Sequence, residues 1–78
     1  MTDVHEVYRL VSAIRPMLAG RDPAVISATL ADLLAMLIAG HHPDLRRDVL
    51  KQHMTLVRDL IPQNEKQMFG DEGWPVNG

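Results

Sequence analysis

Cysteine is absent from this 78-residue chain. No disulfide, thiolate nucleophile or cysteine-based zinc site is therefore available to it. Aromatic residues are scarce, with one Tyr, one Phe and one Trp. Any core must be aliphatic, built from ten Leu, seven Val, four Ile, five Met and seven Ala. A surplus of positive charge is also missing. Eight Lys and Arg against ten Asp and Glu leave a net charge of −2 with His neutral. That balance disfavours a basic nucleic-acid domain and an acidic solvating tail alike. No apolar run is long enough to span a bilayer, which takes roughly 20 residues. The most apolar stretch, 24–39, is interrupted by Ser27, Thr29 and Asp32. The N-terminal residues carry Asp3 and Glu6, with no Lys before an apolar stretch, and do not read as a secretory signal. We expect a cytoplasmic protein with no membrane partner.

What is present is globular in proportion, 46% apolar and 23% charged. A mass of 8.7 kDa fits one small domain. The pattern predicts an all-α fold of three helices, at about 3–18, 23–39 and 43–61. Asp3 with Glu6 three residues on has the form of a capping box. Val4, Val7, Leu10, Val11, Ile14 and Leu18 then recur at helical spacing, with Pro16 on the polar side. Gly20 follows as a stop. Asp22-Pro23 is a strong restart, because Asp supplies a cap oxygen and Pro suits the first helical position. Gly40 ends the second helix. Pro43 and Asp44 open the third, which Pro62 is expected to stop. Short links predict an antiparallel, up-down-up bundle over 1–62. Residues 63–78 read as a polar tail, partly disordered or packed on the bundle, with one more helical turn open at 64–69.

The second helix is apolar on too many sides. Of the 17 residues in 23–39, 13 are apolar. Ile26, Leu30, Leu33, Leu34 and Leu37 form a stripe of large side chains expected to face the core. Ala24, Ala28, Ala31, Ala35 and Ala39 form a separate stripe of small ones. Val25 and Met36 lie on a third side with Thr29 and Asp32. An ordinary surface helix has one apolar stripe and one polar face. Alanine is also simply the best helix former, but small side chains let another helix approach closely. A short chain often needs a staple, and oligomerisation is the one on offer here. We expect two subunits to pair into a six-helix homodimer with its two-fold axis near the second helix. The expected interface is Ala28, Ala31, Ala35, Met36 and Ala39, with His53 and Trp74. Trp74 either folds back over its own subunit or anchors in a partner.

The third helix has a wide apolar arc, Leu45, Val49, Leu50, Met54, Leu56, Val57, Leu60 and Ile61, with His53 in its middle. Its polar half carries Arg47, Lys51 and Arg58 on one edge and Asp44, Asp48 and Asp59 on the other.

Chemistry is hard to find in these residues. The serines and threonines have no nucleophile elbow or placed base. The five glycines are scattered, so there is no phosphate-binding loop. His41 and His42 with His53 or Asp44 are suitable zinc donor types. His53 is about three helical turns from His42, however, which is too far for one intrachain site. Adjacent histidines at a helix junction read better as a solvated link or partial cap. Asp44 and Asp48 lie one turn apart without an apolar pocket to raise a carboxylate pKa. The sequence therefore implies no catalytic residue, cofactor or metal. The expected function is non-enzymatic protein–protein association, as an assembly factor, adaptor or regulatory subunit, with an unidentified protein partner also open. One alternative is a small dimeric DNA-binding regulator using Arg46, Arg47, Lys51 and Arg58. Nucleic acid is disfavoured because aspartates neutralise those charges. A second alternative is a metal- or ligand-binding bundle using His41, His42 and His53 across subunits.

Overall fold

The computed structural model describes residues 2–75. The chain is all-helical, with three helices and no strand among the described residues. They are α1 (Val4–Leu18), α2 (Pro23–Ala39) and α3 (Pro43–Phe69).

Each start is set by a local side chain. Asp3 Oδ1 accepts the Glu6 N–H at 3.1 Å and caps α1. Asp22 Oδ1 accepts the Ala24 N–H at 2.8 Å at the start of α2. Both satisfy donors that a first helical turn leaves without a partner. The α1–α2 link is a tight turn. Ala19 lies at φ −60°, ψ 132° and Gly20 at φ +76°. The Arg21 N–H closes it on the Leu18 carbonyl at 3.1 Å. This is a type II turn, which needs positive φ at its third position and so favours glycine there.

The third helix does not stop at Pro62 but continues to Phe69. Proline disfavours helix in the residue before it and removes one backbone donor, yet here the helix passes through. Three features carry it. The surrounding residues are exposed, so water can serve the freed Arg58 carbonyl. Asn64 Nδ2 donates to the Leu60 carbonyl at 2.9 Å across the proline turn. Glu65, Lys66, Gln67 and Met68 are good helix formers. Gly70, at φ +83°, ends the helix by donating its N–H to the Lys66 carbonyl at 2.8 Å. The expected polar tail is therefore helical as far as Phe69, and its last part, 76–78, lies outside the described residues.

Two compact units divide the chain. The first comprises α1 and α2 through Ala35, the second α2 from Met36, α3 and the chain beyond. No described residue of either is buried. Of the stripe expected to face the core, only Ile26 and Leu34 are half-buried. Leu30 and Leu33 are 48% and 52% exposed.

Candidate interaction surfaces

The first unit carries an apolar groove of about 360 Å³. From α1 it is lined by Ile14, Met17 and Leu18, and from α2 by Val25, Ile26, Thr29, Leu30 and Leu33. Arg21, from the turn, lines it too. The Arg21 Nε donates to the Met17 carbonyl at 3.2 Å. This bond holds the head group at the turn end and leaves its terminal nitrogens available. Thr29 Oγ1 donates to the Val25 carbonyl at 2.8 Å, so the hydroxyl is engaged with its own helix. The groove is thus almost wholly hydrocarbon with one fixed cation.

Ala28, Ala31, Ala35, Met36 and Ala39 do not line the groove. At about 100° per residue the alanines fall nearly opposite it, while Met36 shares the side of Val25 and Thr29, about one turn past Leu33. All five are exposed, Met36 by 63%. Two surfaces of α2 therefore stand open, and the sequence pointed to the alanine one.

The α2–α3 junction is closed by polar bonds. Each of the last four carbonyls of α2 has a partner. Gly40 N–H donates to Met36 O at 3.1 Å, and His41 N–H to Ile38 O at 3.0 Å. His41 Nδ1 lies 2.9 Å from Leu37 O and must donate, since a carbonyl only accepts. Arg46 reaches back from the first turn of α3. Its Nη2 donates to Ala39 O at 2.9 Å and its Nε to His41 O at 3.1 Å. A cation at the carboxyl end of α2 also meets the negative end of the helix dipole. His42 acts in the opposite sense. Its Nδ1 accepts the Asp44 N–H at 3.1 Å and caps α3. That nitrogen is also 3.7 Å from Asp44 Oδ2. The ion pair would need a proton where the cap needs a lone pair, and the shorter bond identifies the cap. The two histidines are thus joint-forming groups, and Arg46 is the clamp that sequence reasoning missed.

His53 is half-buried, and its Nδ1 donates to the Val49 carbonyl one turn earlier at 2.9 Å. His41, His42 and His53 are not gathered into a ligand set. Among the described residues no three His, Asp or Glu side chains are placed to hold a metal ion. The hydroxyl of Thr55, like that of Thr29, donates within its own helix, to Lys51 O at 3.1 Å.

The far end of α3 forms an aromatic tip. Trp74 folds back so that its ring meets Phe69 edge to face, with centroids 4.9 Å apart and planes at 78°. Glu65 Oε1 accepts the Trp74 N–H at 3.2 Å. The Gly73 N–H closes a turn on Gly70 O at 3.0 Å. Lys66 and Asp71 pair at 3.5 Å across exposed surface. Trp74 is nonetheless 62% exposed. It packs locally and is still largely exposed. No helix among the described residues is long and apolar enough to cross a membrane. Comparison of the chain with known protein families, curated proteins and solved structures finds no significant match.

Proposed function

We propose that this chain acts without catalysis, by protein–protein association, and that its first partner is a second copy of itself. The three helices form an up-down-up bundle subunit, and two subunits pair into a six-helix homodimer in the cytoplasm. Ala28, Ala31, Ala35, Met36 and Ala39 form the seam, with α2 near the two-fold axis. The observation carrying this reading is that no described residue is buried, although the chain is 46% apolar. Apolar area contributes about 25 cal/mol per Å² once it is removed from water. Helices joined by well-satisfied caps but lacking a core gain most by burying these faces against another chain. The role that follows is that of a small assembly factor, adaptor or regulatory subunit.

Ala35→Glu tests the seam. Within the paired state it places a charge between close-packed helices, whereas an isolated subunit tolerates it on an exposed helical surface. The expected result is a protein of unchanged helicity that sediments at half the wild-type mass. A helical variant that still pairs like the wild type removes the alanine face from the interface.

A further inference from the structure

Two surfaces of this chain match each other in chemistry. The α1–α2 groove is hydrocarbon, with the Arg21 guanidinium held at its turn end. The tip of α3 presents Phe69 and Trp74, preset by their edge-to-face contact and by the Glu65 bond to the Trp74 backbone. Asp71 and Glu72 lie between the two aromatic residues in the chain. Asp71 is paired with Lys66, while Glu72 makes no ion pair among the described residues. The carboxyl end of a helix adds partial negative charge to the same tip. Groove and tip are therefore complementary in polarity and in charge.

The self-association proposed above supplies a second copy, whose groove offers the apolar lining and the cation that this tip matches.

We propose that the α3 tip of one copy seats in the α1–α2 groove of a second copy. Phe69 and Trp74 lie among Leu18, Val25 and Leu30, and Glu72 faces Arg21. The proposal rests on the self-association described above and adds a contact to it. Groove and alanine stripe lie on different sides of α2. Aromatic anchors in an apolar pocket are the usual centre of such a contact, and arginine–carboxylate pairing fixes its orientation.

Trp74 is the sole tryptophan, so its fluorescence reports the contact in the unmodified chain. The full-length protein is diluted through its pairing midpoint, with mass followed by sedimentation. Emission is expected to shift to the blue as copies pair, and Leu30→Glu is expected to abolish that shift. Arg21→Glu and Glu72→Arg, both on exposed residues, serve as a second test independent of groove packing. Each alone is expected to weaken tip docking by about tenfold, the factor that 1.4 kcal/mol represents. An equimolar mixture restores the blue emission, because each altered groove then meets an oppositely altered tip. A wild-type chain that pairs by mass while Trp74 emission stays constant overturns the docking and leaves self-association standing. Recovery absent from the mixture overturns it as well. A chain that stays at 8.7 kDa throughout overturns both.

Discussion

Arg46 closes the carboxyl end of the helix before its own, donating from Nη2 to the Ala39 carbonyl oxygen at 2.9 Å. The same guanidinium serves the His41 carbonyl through Nε. One side chain thus holds the end of α2, the link and the start of α3 in one arrangement. Its removal strips two carbonyls of charged donors. Arg46→Ala is expected to lower stability by about 1 kcal/mol, below the usual range for bonds to charged groups because the site is exposed. Urea denaturation measures it. Arg46→Lys should recover only part of the loss, since an ammonium cannot present the planar fork that spans both acceptors. Full stability in the alanine variant would show that water replaces the clamp.

Asp22 sets the start of α2 through its bond to the Ala24 N–H. Asp22→Ala is expected to cost about 1 kcal/mol, whereas Asp22→Asn keeps the cap oxygen and should cost little. Thermal melts of the two variants side by side provide the check. Equal melting points would deny the cap its role.

Gly20 sits at φ +76° in open space, with no atom near the place a Cβ would occupy. Any cost of Gly20→Ala is therefore backbone strain alone, about 1 kcal/mol for a left-handed residue with a side chain. A gain in stability would mean that the turn relaxes to another type.

Pro62 lies inside α3, where a residue with a backbone donor could close the bond to Arg58. Pro62→Ala is expected to stabilise the helix by up to about 3 kcal/mol, the interior penalty of proline relative to alanine. Circular dichroism should show equal or greater helicity. Reduced helicity would contradict a helix that runs through to Phe69.

These residues also show where the sequence was legible. The caps at Asp3 and Asp22 could be read because each signal acts within a few neighbouring residues. Gly20 and Gly40 punctuated the chain for the same reason. The end of α3 was misplaced because the rule for proline is local too, while its exception depended on exposure and on the Asn64 bond to Leu60. Arg46 was missed because its bond to Ala39 spans seven residues and exists only once the link has folded. An arginine one turn after a helix-opening proline, just past another helix's end, was the available signal. The stripe containing Leu30 and Leu33 was read as core. Periodicity identifies which side of a helix is apolar, but not which neighbour covers it. The aromatic tip depended on the chain reversing between Gly70 and Trp74, which composition alone leaves open.

Self-association is tested most directly by the solution mass of the purified chain. Light scattering after gel filtration, repeated over a range of loading concentrations, gives that mass without a label. The prediction is twice 8.7 kDa at the higher concentrations. A mass of 8.7 kDa at every concentration would contradict it.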